Sequence, residues 1–232
     1  MNCMIPSFKL PFTFDPIKLK ADLIALASAT WIAHFNTSNY SGNWDGIALR
    51  SPGGTVESIY PDPASTKEYQ DTILMQACPT VREVIGSLGC EVLSARFLRM
   101  KPGTAIKTHR DHTLSFEDGE VRLHVPVITN KAVEFISDGI VLEMNEGDCW
   151  YVNAGLPHSV ANRGTTDRVH LVLDCAVNDW LRSFFPKVTE PTTLGMESVR
   201  TEKDRANMIA ALHEMGTAAA LQIVRQLQEE HD

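Results

Sequence analysis

Two histidines and an aspartate frame the chemistry this sequence could carry. His109-Arg110-Asp111 sets a His and an Asp two residues apart, and on an extended strand such residues project from one face. His158 follows in Gly155-Leu156-Pro157-His158-Ser159, at the start of a later strand candidate. A lone His-x-Asp pair is weak, since a solvated strand end looks the same. With His158 added, the donor set becomes two imidazoles and one carboxylate. That is the facial set that holds non-haem Fe(II) and leaves three coordination positions open. Zinc hydrolases accept the same ligands but usually place a general base for water beside them, and no HExxH-type helix is present.

Arg168 opens Arg168-Val169-His170-Leu171-Val172-Leu173-Asp174. A guanidinium carried into a barrel needs an anion, because an unpaired buried charge is costly. Its rigid fork matches a carboxylate bidentately. Beside an iron site it suggests a dicarboxylate cosubstrate; the bland alternative is an internal pair with Asp174 or Asp148. Arg122 and His124 alternate with apolar Val121, Leu123, Val125 and Val127. They therefore share a polar face, read here as facing a cavity. His170 reads as a packing or hydrogen-bonding residue. His112 points away from Asp111 on an extended chain, and His34, His213 and His231 read as ordinary residues outside the β core. Trp44, Arg50 and Gly53-Gly54 suit either a loop over a substrate or a plain structural loop.

These residues need strands to position them. Segments 91–100, 122–128, 133–136, 140–144, 148–152, 159–162 and 168–176 read as short strands. Turn signals at Lys101-Pro102-Gly103, Asn130-Lys131, Asp138-Gly139, Glu146-Gly147, Ala154-Gly155 and Arg163-Gly164 separate most of them. Such regular spacing predicts a sandwich or jelly roll. Upstream, 15–33 and 79–87 read as helices, the second stopped at Gly89, with a short strand at 46–49. Two Ala- and Leu-rich helices, 201–215 and 217–230, are expected after Pro186. The predicted division is a β domain with N-terminal helices over 1–186 and a helical extension over 187–232.

The net charge of −8 over 232 residues argues against a nucleic-acid partner, which requires a basic surface. The longest apolar run, 23–33, is too short to cross a bilayer, and residues 1–9 lack the pattern of a signal peptide. Cys3, Cys78, Cys90, Cys149 and Cys175 are scattered with no CxxC pair. They are expected to be reduced thiols of a cytoplasmic protein, with Cys149 and Cys175 acting as small core hydrophobes.

His109-x-Asp111, Arg122-x-His124, Pro157-His158-Ser159 and Arg168-x-His170-Leu171-Val172-x-Asp174 together resemble the aspartyl/asparaginyl β-hydroxylase family. That family takes in bacterial free-proline hydroxylases of the cis type. The resemblance covers about residues 90–176 and, more loosely, Gly42-Asn43-Trp44. It implies a double-stranded β-helix (a cupin-like jelly roll) using Fe(II), 2-oxoglutarate and O2 to hydroxylate an unactivated C–H, with release of succinate and CO2. It places the metal on His109, Asp111 and His158, and the 2-oxoglutarate carboxylate on Arg168, with Arg122 and His124 as second contacts. The membrane-tethered animal members lack the carboxylate ligand and carry long tetratricopeptide and membrane segments. Asp111 moves the likeness toward the soluble, proline-hydroxylase-like branch. The implied substrate is a free amino acid such as proline, or an Asp/Asn-type residue; no membrane partner is expected, and the C-terminal helices are candidates for pairing between subunits. A cupin-like protein that binds a metal or small acid without turnover is the alternative reading, and a metal hydrolase a weaker third.

Overall fold

In the computed structural model, residues 4–59, 66–111 and 114–185 are described. The N-terminal part supplies β1 (Ser7–Thr13), α1 (Pro16–Ala25), β2 (Ile32–Ala33), β3 (Tyr40–Ser41), β4 (Trp44–Pro52), β5 (Tyr69–Asp71) and α2 (Pro79–Ser87). The centre runs through β6 (Val92–Met100), β7 (Ala105–His109), β8 (Glu120–Ile128), β9 (Val133–Ser137) and β10 (Ile140–Val141). It closes with β11 (Asp148–Val152), β12 (His158–Asn162), β13 (Arg168–Ala176) and the short α3 (Asp179–Arg182). One sheet has the order β1-β11-β8-β13-β6-β4-β2 with β5 on β4, and the other β10-β9-β12-β7-β3. Every pairing is antiparallel. This is the expected double-stranded β-helix.

The pleat decides which side chains meet the site. Val121, Leu123, Val125 and Val127 of β8, and Val169, Leu171, Leu173 and Cys175 of β13, are buried in one core with Leu19 of α1 and Val81 of α2. Burying each Val or Leu contributes roughly 1.5–3 kcal/mol, so this face of the large sheet is firmly assigned to the helices. A slip by one residue would bury the charged set instead. The other face, carrying Arg122, His124, Arg168, His170 and Asp174, therefore turns inward toward the small sheet. A second core of Met100, Ile106, Phe135, Leu142, Val152 and Val160 fills the space between the sheets.

Several expectations need revision. The helix expected over 15–33 stops at Ala25, and Ile32–Ala33 instead pairs with Gly46 and Asp45. Leu19, Asp22 and Leu26 turn inward, while Ile17 and Ile24 stand in solvent, so the apolar run overstates the helical face. The strand expected over 140–144 is reduced to Ile140–Val141. β1 was hidden by Pro11; it survives as an edge strand whose register shifts between Lys9 and Thr13, the place where a sheet tolerates proline. Asp15 caps α1 by accepting from the Ile17 and Lys18 amides at 2.9 and 3.3 Å. The N-terminus of α2 is capped from α1: Asp22 accepts from the Val81 amide at 2.8 Å and the Thr80 hydroxyl at 3.1 Å. The expected C-terminal helices, the extension 187–232, His112, His213 and His231 lie outside the described residues.

Candidate metal centre

His109 ends β7 and His158 begins β12, and the two are cross-strand partners. Their ring centroids lie 4.2 Å apart. Asp111 does not share the strand, which has ended; its position comes from the chain beyond, where its amide donates to Ala154 O at 2.8 Å. One ligand atom from each of His109, Asp111 and His158 falls within 4.8 Å of the others. His109 Nε2 is 3.6 Å from Asp111 Oδ1.

The backbone fixes the tautomer of both rings. Nδ1 of His109 lies 2.8 Å from Lys107 O, and Nδ1 of His158 lies 3.0 Å from Leu156 O. A carbonyl only accepts, so each Nδ1 carries the proton and each Nε2 presents its lone pair. This is the arrangement a metal-ligating histidine needs. Burial lowers the His158 pKa, which keeps the ring neutral. For Asp111 burial is the largest influence and pushes upward, but Arg122 together with its other neighbours more than offsets it and holds the carboxyl below its ordinary range. The three residues thus offer two imidazole nitrogens and one carboxylate.

Arg122 lines the cavity and also bridges two carboxylates of the chain. Its Nη1 donates to Asp111 Oδ2, while Nε and Nη2 donate to Asp174 at 2.7 and 3.2 Å. Asp174 also accepts from Arg96 at 2.8 Å and Ser94 at 2.9 Å. Asp174 is 1% exposed; burial would raise its pKa, but Arg122 and Arg96 force it well below the usual carboxylate range.

Arg168 is 3% exposed. The two aspartates considered as internal partners are taken: Asp174 by Arg96 and Arg122, and Asp148 by Lys9 at 2.7 Å. Its Nη2 donates to His170 Nδ1 at 2.9 Å, Nη1 reaches Met100 Sδ at 3.9 Å, and Nε has no partner. The guanidinium also stands 5.7 Å from the Phe135 ring centroid. No carboxylate pairs with it among the described residues, and burial alone draws its pKa down to about 9. One cavity is lined by His109, Asp111, His158, Arg122, His124 and Arg168. Trp44, Leu98, Ile106, Val152 and Val160 supply its apolar walls. His124 is buried with Nδ1 unpartnered, and its ring meets His170 edge-on at 5.7 Å.

One residue was misjudged from the sequence. His34 is no ordinary helix residue. It stacks on Trp44 at 3.5 Å between centroids and 7° between planes. Burial lowers its pKa to about 4, and it senses the charges of Asp111, Arg96 and Arg122. Only the pairing of β2 with β4 brings it there, so no local pattern announced it. Arg50, by contrast, lies outside the cavity lining and pairs with Asp71 at 2.9 Å.

Comparison with known proteins agrees with this geometry. The aspartyl/asparaginyl beta-hydroxylase family matches residues 17–177. L-proline cis-4-hydroxylase of Rhizobium meliloti (strain 1021) is 27% identical over 183 residues, covering 78% of this chain and 64% of that protein. L-proline cis-3-hydroxylase 1 of Streptomyces sp is 27% identical over 167 residues, covering 70% of this chain and 57% of that protein. The chain therefore spans less than two thirds of the length of these curated relatives. Among solved structures, an oxidoreductase of the 2OG-Fe(II) oxygenase family from Burkholderia pseudomallei superposes with a TM-score of 0.52 at 15% identity, over 74% of this chain and 85% of that one. The non-heme alpha ketoglutarate dependent epimerase SnoN from nogalamycin biosynthesis gives 0.50 at 10% identity, over 74% and 78%. At that distance the two structures speak for the fold. The family match runs from α1 to the end of β13, through every strand that lines the cavity, and on that ground the chain belongs to the aspartyl/asparaginyl β-hydroxylase family.

Proposed function

We propose that this chain is an Fe(II)- and 2-oxoglutarate-dependent oxygenase that hydroxylates an unactivated C–H of a small amino acid. The observation that carries the reading is the pairing, in one cavity, of a two-His, one-carboxylate cluster with a buried arginine lacking a carboxylate partner among the described residues. An apolar pocket does not retain an unpaired guanidinium without a use, because the cost of burying it recurs in every folded molecule. A dicarboxylate reaching from the metal to Arg168 supplies the missing anion. A protein that only binds a metal has no need of that residue.

His109 Nε2, His158 Nε2 and one oxygen of Asp111 would hold the iron. With 2-oxoglutarate, the iron would supply activation of O2, which is the oxidant: one oxygen atom would enter succinate, formed with CO2 from 2-oxoglutarate, and the other the substrate C–H. The remaining work belongs to the chain's own residues. Lys107 O and Leu156 O keep both imidazoles in the ligating tautomer. Arg168 binds the far carboxylate, and the hydrogen bond to His170 Nδ1 holds its fork in place. Because an arginine only donates, His170 must be neutral with its proton on Nε2, so it adds no second positive charge. Leu98, Ile106, Phe135 and Val160 keep water from the reacting centre. A substrate of the proline type follows from the two curated relatives, which are named for L-proline.

The test is anaerobic addition of Fe(II) and 2-oxoglutarate, followed by succinate release across the free amino acids and a few Asp/Asn peptides. A weak visible charge-transfer band and turnover with one free amino acid are expected. No band and no succinate with any of them would refute the reading. Hydrolysis without O2 would favour a metal hydrolase instead.

A further inference from the structure

Resting on the metal reading above, we propose that Arg122, anchored by Asp174, is the positioning residue that presents Asp111 to the metal, and is not a cosubstrate contact. Nε and Nη2 of Arg122 grip the two oxygens of Asp174, and Nη1 reaches Oδ2 of Asp111. Each of the three guanidinium nitrogens thus gives a hydrogen bond to a carboxylate of the chain itself, three of its five N–H donors. The anchor is rigid because strand register sets it. Asp174 on β13 stands opposite Arg122 on β8 and Ser94 on β6. Ser94 and Arg96 saturate the remaining capacity of the Asp174 carboxylate.

Asp111 needs such an anchor more than the two histidines do. They sit at strand ends with their rings tied to backbone carbonyls, whereas Asp111 lies past the end of β7. With Oδ2 held by Arg122, Oδ1 remains the oxygen on the histidine side, 3.6 Å from His109 Nε2. The carboxylate is therefore offered through one oxygen, as a facial site requires. Charge closes consistently as well. Arg96 and Arg122 face Asp111 and Asp174 in paired contacts, two cationic side chains against two carboxyl groups.

The sign of one substitution separates positioning from simple charge. Arg122 carries a positive charge beside a cation site, so removing that charge alone should tighten metal binding. If Arg122 positions Asp111, removing it should weaken binding instead. The experiment is anaerobic titration with Fe(II) alone, in competition with a chelator, on Arg122→Met, Arg122→Lys and Asp174→Asn, with thermal melting of each. Loss of a partner that orients a ligand typically costs 10–100-fold in metal affinity. That loss is expected for Arg122→Met and for Asp174→Asn, although neither residue touches the metal. Arg122→Lys should recover part of it, since an ammonium can serve one carboxylate but cannot bridge two. Arg50→Met, which breaks the distant pair with Asp71, should leave Fe(II) affinity unchanged and controls for loss of a surface ion pair. In an Asp111→Ala background, Arg122→Met should cost nothing further.

Unchanged or tighter Fe(II) binding in Arg122→Met, with weaker 2-oxoglutarate binding at saturating iron, overturns the proposal and returns Arg122 to the cosubstrate. If Arg122→Met does not fold, Asp174→Asn and Arg122→Lys carry the same test through the same readout. Failure of the metal reading itself looks different: Fe(II) affinity would then survive alanine at His109, Asp111 and His158 alike.

Discussion

Replacing Arg168 with Met should push stability and function in opposite directions. The side chain is 3% exposed and has no carboxylate partner among the described residues. Burial brings the guanidinium well below its ordinary range, down to about 9. At 1.36 kcal/mol per pKa unit, that gap represents about 5 kcal/mol of folding free energy lost at neutral pH. The sign follows from the lowered pKa: the charged form is disfavoured in the fold, so the cost is present below pH 9 and relieved above it. Water entering the cavity reduces the figure, and a gain of about 1–4 kcal/mol is expected for Arg168→Met in the ligand-free protein. For a chain of this size that amounts to a Tm rise of several degrees. Cosubstrate affinity should fall. Truncating one side of a buried, hydrogen-bonded charge pair costs about 2–5 kcal/mol, or roughly 30-fold to several thousand-fold in Kd. Arg168→Lys should lie between, since it keeps the charge but loses the fork. The assay pairs ligand-free melting curves with 2-oxoglutarate titration, read by the charge-transfer band. Equal 2-oxoglutarate affinity in all three proteins would refute the reasoning, as would a melting temperature that falls in Arg168→Met without ligand.

Other expectations are as direct. Asp111→Ala should abolish turnover and sharply weaken Fe(II) binding, measured by metal content after gel filtration; full activity would remove Asp111 from the ligand set. His158→Ala should lose iron with little change in Tm, because a residue at the mouth of a strand contributes little to either core. A large fall in Tm with iron retained would make it structural. Asp22→Ala should cost about 1–3 kcal/mol in denaturant unfolding, since the buried Val81 amide loses its acceptor. Asp174, ordinarily near 3.8, is held low in the fold, so it stabilises above about pH 4 and that contribution disappears as pH falls further. Between pH 6 and pH 3, the stability of Asp174→Asn should therefore vary less than that of the wild type.

Residue types and spacing alone disclosed the metal ligands as candidates, the arginine, and the run of short strands. Those signals are local: period-two alternation in β8 and β13, Gly-containing turns, and donor atoms suited to iron. Tertiary structure decided the rest. His109 and Asp111 were paired by a pleat that in fact ends at His109; what gathers them is the register of β7 against β12 and the hydrogen bond from Asp111 to Ala154. Whether Arg168 had an internal partner could not be read from the chain, because three strands had to align before Asp174 was claimed by Arg96 and Arg122. The same alignment set Arg122 between Asp111 and Asp174. His34 lay beyond any local pattern, since the two-residue strand that carries its neighbours forms only by pairing with β4. Spacing along one segment fixes which side chains share a face, but the choice of partner for a buried charge depends on residues far apart in sequence, and the folded register makes that choice.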